Sequence, residues 1–195
     1  NIKCGNSLIG TDFASQESLF DDESRQKVNP FDWKIEFAEV MNNGGFDAVI
    51  GNPPYVRQEG LRQFKEYFQQ HYRAFQATAD LYVNFIEKGL SVLKPSGLFG
   101  MIVSNKWLRA AYGEPLRKLL QGNASMNQIV DFAGLPVFAE ATVRTIIMIC
   151  TPLQKKSESI RYLPPVSLDE FYTISDANDL KKLVDEKGMD IPAKN

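Results

Sequence analysis

Residues 46–51, FDAVIG, form a short apolar run with β-branched residues, and Asn52-Pro53-Pro54-Tyr55 follow with no spacer. A run of this kind reads as a strand buried on both faces. Neither proline has an N–H to give to a ladder, so the strand must stop there. A rigid loop therefore sits directly on a strand end, and the rest of the chain has to be arranged around that junction.

The flanking segments alternate in period. Asn1 to Cys4 reads as the end of a short strand leading into GNSLIG, and Ser15 to Pro30 as an exposed acidic loop. Trp33, Phe37, Val40 and Met41 recur at helical spacing after the capping residue Asp32, and NNGG at 42–45 stops that helix. Beyond the loop, residues 61–75 and 80–93 read as helices, the second with Leu81, Phe85 and Leu90 or Val92 on its apolar side and Pro95-Ser96-Gly97 as its end. Residues 98–104 form a further apolar strand. Residues 114–120 form a helix with Pro115 in its first turn. Strands follow at 128–132 and 145–150, and a last amphipathic helix at 176–187. Strand–helix alternation predicts an α/β sheet covered on both faces, with the closely spaced later strands antiparallel. There is no internal repeat and no low-complexity segment.

Charge is unevenly spread. The chain holds 22 basic and 24 acidic residues, yet residues 51–120 hold 10 and 5 while residues 1–50 hold 4 and 9. The small total excludes a histone-like basic binder. The positive middle third suits an anionic partner, or else it is a set of solvated helix faces. No apolar run reaches the roughly 18 residues of a membrane span. Cys4 and Cys150 lack paired spacing, which points to a reducing, cytoplasmic setting. No metal-ligand spacing is present, and the single histidine, His71, reads as a surface residue.

At the carboxyl end of a strand in an open α/β sheet, where ligands bind, the four residues NPPY offer a specific chemistry. The Asn52 amide oxygen and the Pro53 carbonyl are two acceptors, the second with no N–H to compete for it. Two prolines hold them in fixed relation, and Tyr55 adds a flat ring. Together they suit one NH₂ group on a planar system. Such a nitrogen is a poor nucleophile because its lone pair is delocalised; two in-plane acceptors localise it and draw off charge as it attacks. The plain alternative is a strand-ending turn, and placement directly after FDAVIG favours the functional reading.

FDAVIGNPPYVRQ resembles the catalytic segment of N6-adenine DNA methyltransferases, most closely the branch found in type II restriction–modification enzymes, where methylase and nuclease can share one polypeptide. GNSLIGTDF, ADLYVNFIEKGLSVLKPSGLFGMIVSNKWL, LRKLL, QIVDFAGLPVF and VRTIIMI occur in the order of that family, over residues 1–152. The resemblance implies a Rossmann-like, S-adenosyl-L-methionine-dependent sheet. Asn52 and Pro53 would accept hydrogen bonds from the target N6, with Pro54 stiffening the loop. Tyr55 would stack on an adenine flipped from double-stranded DNA. Phe138 would pack the other face of the base, or else fills the core between two strands. Asn6 matches a contact to the cofactor adenine, or else forms an Asx turn. Asp80 would line the cofactor pocket, or else caps a helix. Arg57, Arg62, Lys65, Arg73, Lys106 and Arg109 are candidates for DNA phosphates; Lys106 is otherwise solvated, and Trp107 is a packing residue.

One departure is marked. The family has a glycine-rich FxGxG loop near its start, followed by an acidic residue for the cofactor ribose, and neither is present. The expectation is an N-terminally truncated sheet that begins at the third strand of a longer protein, in which these residues alone bind cofactor weakly or not at all and lack activity. Residues 1–152 would be the catalytic part, and 153–195 an extension or linker toward a further domain. Nuclease and target-recognition domains would lie elsewhere in the same polypeptide. The competing functions are a protein-glutamine (release factor) methyltransferase, which also uses NPPY on a planar amide, an RNA adenine methyltransferase, and a non-catalytic DNA-binding or assembly module.

Overall fold

The computed structural model describes residues 2–13, 28–56, 61, 63–138 and 143–193. Their elements are α1 (Trp33–Glu36), α2 (Ala38–Asn42), β1 (Phe46–Gly51), α3 (Lys65–His71), α4 (Tyr82–Ser91), β2 (Leu93–Ser104), α5 (Glu114–Asn123), β3 (Ala124–Ala133), β4 (Thr145–Pro152), β5 (Ser159–Leu163), α6 (Leu168–Phe171), α7 (Ala177–Lys187) and β6 (Met189–Pro192). Residues 105–108 and 111–113 form short 3₁₀ turns.

Six strands make one mixed sheet in the order β1-β2-β4-β3-β5-β6. β1 and β2 are parallel, β4 runs antiparallel to both β2 and β3, and β5 is parallel to β3. The antiparallel return expected for the later strands is thus present. Period-2 burial sets the two faces. Phe99, Met101 and Val103 of β2 and Ile146, Met148 and Cys150 of β4 point into one core. There they meet Tyr82, Val83 and Ile86 of α4 and Leu116, Leu119 and Leu120 of α5. Val130, Phe132 and Leu163 point to the opposite face, under Val184 of α7. Helices therefore flank both faces, though unevenly along the sheet. A third cluster joins Leu8, Ile9 and Phe13 to Phe64, Tyr67, Phe68 and Tyr72 of the α3 region.

Local signals act where the sequence placed them. The Asp32 carboxylate accepts from the Lys34 and Ile35 amides and starts α1. Gly44 and Gly45 leave α2 with φ of 94° and 113°. At Gly45 a Cβ would also lie 2.5 Å from the Val92 carbonyl, so the left-handed exit that only glycine adopts freely is also a close approach. Pro115 lies in the first turn of α5, and Asp176 caps α7.

Several expectations need correction. Residues 2–4 form no strand; Asn6 makes only an isolated parallel bridge to Pro30. β1 is not buried on both faces. It is an edge strand, with Val49 against the core and Ile50 86% exposed, because only one of its faces carries a helix. Pro95-Ser96-Gly97 does not separate a helix from a strand. β2 already begins at Leu93, and its register with β1 slips there, Phe46 facing Leu93 and Ala48 facing Leu98. An irregularity of this kind accommodates a proline that cannot donate to the ladder. The buried side of α4 is Tyr82, Val83, Ile86 and Gly89, whereas Leu81 and Phe85 are half-buried against the third cluster. Residues 159–192 are more ordered than their composition suggested, adding β5, α6, α7 and β6 to the same sheet. Most of the acidic 15–30 segment, residues 14–27, lies outside the described residues. Among the described residues, no helix is long and apolar enough to cross a membrane, and no cluster of metal-ligating side chains occurs.

Candidate active site at the carboxyl edge of the sheet

The strand registers gather the motifs on one edge. β1 and β2 are parallel and end at Gly51 and Ser104, so Asn52–Tyr55 and Asn105–Arg109 leave the sheet side by side. Ser104 faces Thr145 at the start of β4, and Ala133 at the end of β3 faces Thr145 from the other side. The segment leading to Phe138 therefore leaves the same edge. The Asn105 amide donates to the Arg144 carbonyl at 2.8 Å and ties two of these turns together.

Within the NPPY loop, Asn52 is exposed, Pro53 buried, Pro54 exposed and Tyr55 half-buried. Burial of Pro53 plants the loop while the Asn52 amide stays open to a substrate. The Tyr55 hydroxyl donates to the Ile102 carbonyl at 3.2 Å, which orients the ring from β2. Burial raises the Tyr55 phenol above its ordinary pKa, so it remains an O–H donor at neutral pH. The ring meets Tyr82 of α4 at 6.4 Å between centroids. Tyr82 is fully buried, and its hydroxyl lies 3.4 Å from that of Tyr112 and is hydrogen-bonded to Ser104. Just past the loop, the Leu81 amide donates to the Val56 carbonyl, which fastens the loop to the start of α4.

Phe138 is brought to the site. Its ring lies 6.0 Å from that of Tyr55 at an interplanar angle of 64°. The two rings meet edge to face rather than as parallel plates. A flat base therefore enters between them only if Phe138 swings aside.

On the other side of the loop, GNSLIG packs with α3 and the start of α4 through Leu8, Ile9, Leu81 and Phe85. The Asn6 side-chain oxygen accepts from the Leu8 amide, an Asx turn, which leaves the carboxamide N–H₂ as the group available to a ligand. Asp80 does not cap α4; the capping position is Leu81, without a side-chain bond. Its half-buried carboxylate is thus not committed to the helix. A carboxamide donor and a carboxylate acceptor beside the NPPY loop fit the polar groups of a nucleoside.

His71 does more than coat the surface. Its Nε2 lies 2.8 Å from Asp12 and its Nδ1 2.8 Å from the Tyr67 carbonyl, and the ring stacks on Tyr67 at 3.9 Å. Tyr67 donates to Asp12 and accepts from the Gly10 amide. These bonds pin residues 10–12 to α3.

Of the basic candidates, Lys106 and Arg109 are exposed at the carboxyl edge, and Lys65 is exposed at the start of α3. Arg73 instead contacts Glu87 and the Asn123 side chain, at the opposite edge of the sheet. Arg57 and Arg62 lie outside the described residues. Trp107 is 3% exposed and packs in the core, as its sequence position suggested. Sequence reasoning passed over Arg144, exposed beside Asn105, and the Tyr82–Tyr112 pair behind Tyr55. The first had a visible signal, a lone cation ahead of an apolar strand. The pairing of two tyrosines thirty residues apart had none.

A mixed sheet whose carboxyl edge carries this loop defines a Rossmann-like methyltransferase fold of the S-adenosylmethionine-dependent type. Residues 2–138 match the model of the Eco57I restriction-modification methylase family, and the chain belongs to that family. It is 31% identical over 153 residues to the type II restriction enzyme and methyltransferase RM.Eco57I of Escherichia coli, covering 76% of this chain and 14% of that protein. It is 32% identical over 150 residues to the type II methyltransferase M.XhoI of Xanthomonas vasicola, covering 74% and 28%. Among solved structures, the type I restriction-modification methyltransferase subunit from Streptococcus thermophilus matches with a TM-score of 0.59 at 16% identity, over 81% of this chain and 34% of that one. The chain thus spans between about a seventh and a quarter of the curated relatives named here.

Proposed function

We propose that this chain is the catalytic part of a site-specific DNA methyltransferase of a restriction–modification or phage-defence system, acting on N6 of an adenine flipped out of double-stranded DNA. The observation that carries the reading is the NPPY loop on the carboxyl edge, with its Tyr55 ring anchored to β2 and in contact with Phe138. The family match favours this over a protein-glutamine or RNA substrate, since the relatives and the structural neighbour named above are restriction–modification proteins.

Asn52 and the Pro53 carbonyl accept the two N6 hydrogens in the plane of the base, which concentrates the nitrogen lone pair for attack and disperses the charge that then develops. Tyr55 fixes the plane of the base by stacking, and Phe138 closes over it. Asn6 and Asp80 hold S-adenosyl-L-methionine, which when bound supplies an electrophilic methyl group. The excess N6 proton leaves through the Asn52 and Pro53 oxygens to solvent. Lys106, Arg109 and Arg144 meet DNA phosphates at the edge. Residues 1–152 carry this chemistry, and residues 153–195 extend the sheet toward further parts of the polypeptide.

The test is transfer of a labelled methyl group into DNA by the polypeptide that carries this chain, with and without Asn52→Ala. A loss on the order of 10² is expected, by analogy with removing one preorganised group from an oxyanion site. A rate within a few-fold of wild type would sink the mechanism.

A further inference from the structure

Away from the NPPY edge, the face covered by α4 and α5 contains a cavity of about 370 Å³. It lies beside α5, against the amino-terminal half of β3, and none of Asn52–Tyr55 or Phe138 lines it. Its volume falls within the range that holds small molecules, about 300–1,000 Å³.

The walls are mainly apolar, with Leu120 and Ile129 among them. Two cations border it, Arg117 and Lys156, and no acidic side chain lines it among the described residues. Arg117 is held in place by donating from one guanidinium nitrogen to the Trp107 and Ala110 carbonyls. Trp107 forms part of the wall, is 97% buried, and its indole N–H has no acceptor among the described residues. A buried donor left without a partner is uncommon in a folded protein and costs stability. The other tryptophan follows the rule, Trp33 donating to the Ser7 carbonyl at 3.0 Å.

We infer that this cavity is a binding site for a compact apolar monoanion, an aromatic or branched carboxylate. The apolar walls take the body of the molecule, and its carboxylate supplies the acceptor missing at Trp107 and answers the two cations. A neutral hydrocarbon would satisfy neither, and a multiply charged ion would lose too much hydration against these walls. No acidic neighbour competes for the cationic rim, so the charge selection is built into the lining itself.

The experiment is a titration of the ¹⁵N-labelled 195-residue chain with benzoate, following the two indole N–H resonances. The Trp107 resonance should move downfield and saturate, with a dissociation constant of about 1 mM or tighter, while the hydrogen-bonded Trp33 resonance stays in place as an internal control. Benzyl alcohol, the neutral counterpart, should bind at least about tenfold more weakly. Ala124→Leu, which fills the cavity from β3, should abolish the response. Lys156→Met, an exposed change that the fold tolerates easily, should weaken benzoate several-fold and leave benzyl alcohol unaffected. A Trp107 resonance that does not move with benzoate overturns the site. Equal affinity for the two probes, or an unweakened Lys156→Met, overturns the assignment to an anion, and an unchanged response in Ala124→Leu overturns the location.

Discussion

Tyr55 offers the sharpest test of how the catalytic edge works, because its ring and its hydroxyl have separable roles. The ring is placed to stack a base, whereas the hydroxyl donates to the Ile102 carbonyl at 3.2 Å in a half-buried setting. Tyr55→Phe keeps the stacking surface and deletes the anchor. A neutral hydrogen bond of this kind is worth about 0.5–1.5 kcal/mol, which converts to a roughly 2- to 13-fold loss in kcat/KM if the anchor acts only by holding the ring. The Ile102 carbonyl stays paired through the sheet, so no large desolvation cost is added. Tyr55→Ala removes the ring as well. Base–aromatic stacking is worth about 1–3 kcal/mol, so a further loss of roughly 5- to 160-fold is expected. The assay is steady-state labelled methyl transfer into DNA by the polypeptide that carries this chain, with both variants measured beside wild type. Should Tyr55→Phe fall as far as Tyr55→Ala, the hydroxyl itself would be taking part in the chemistry and the stacking argument would be refuted.

The structure carries further consequences for stability and reactivity. Gly89 of α4 lies so close to β2 that a Cβ there would sit 2.6 Å from the Phe99 ring. Gly89→Ala is therefore expected to lower the unfolding free energy by about 1–3 kcal/mol in urea titration, despite alanine's higher helix propensity; a more stable variant would show that the helix can slide. Burial pushes the Cys150 thiol up to about 12, while Cys4 is exposed. A disulfide reagent at pH 8 should label one thiol per native chain and two after denaturation, and rapid native labelling of both would contradict the packing. For Asp12, partial burial works upward, but hydrogen bonds from Tyr67 and His71 outweigh it and hold the carboxyl below its ordinary value of 3.8. Its contribution is therefore present above that value and lost as pH falls through the depressed one. The side chain is 49% exposed, so wild type should exceed Asp12→Asn by less than about 1 kcal/mol at neutral pH. That margin should shrink on acidification below pH 4 in a series of thermal melts, and a margin that grew instead would reverse the assignment.

The parts of the fold that were legible in the sequence are those set by neighbours along the chain. Asp32 and Asp176 start helices, Pro115 enters one and Gly44-Gly45 leaves another because the bonds or dihedrals involved span only a few residues. β1 and its NPPY stop were readable for the same reason. The position of β1 in the sheet was not. Its composition matches that of a strand buried on both faces, yet Ile50 is exposed at an edge. Which strand pairs with which depends on contacts across the whole chain. β5 and β6 escaped notice because SIRYL and MDIP are short and mixed in polarity, and they are strands only because β3 offers a free edge.

The candidate site divides along the same line. Sequence alone determined the reacting groups, since the two acceptors and the ring of Asn52-Pro53-Pro54-Tyr55 are covalently adjacent and stiffened by proline. It also determined the order of the motifs that marks the family. Tertiary structure decided which distant residues meet them. It brought Phe138 edge to face with Tyr55, set the Tyr82–Tyr112 pair behind it and drew Arg73 away to the opposite edge. It also closed a cavity around an unpaired Trp107 indole. Chain-local chemistry fixes a loop's reactive groups through bonds and dihedrals, but distances between remote side chains follow from sheet register and helix packing, which no single segment encodes.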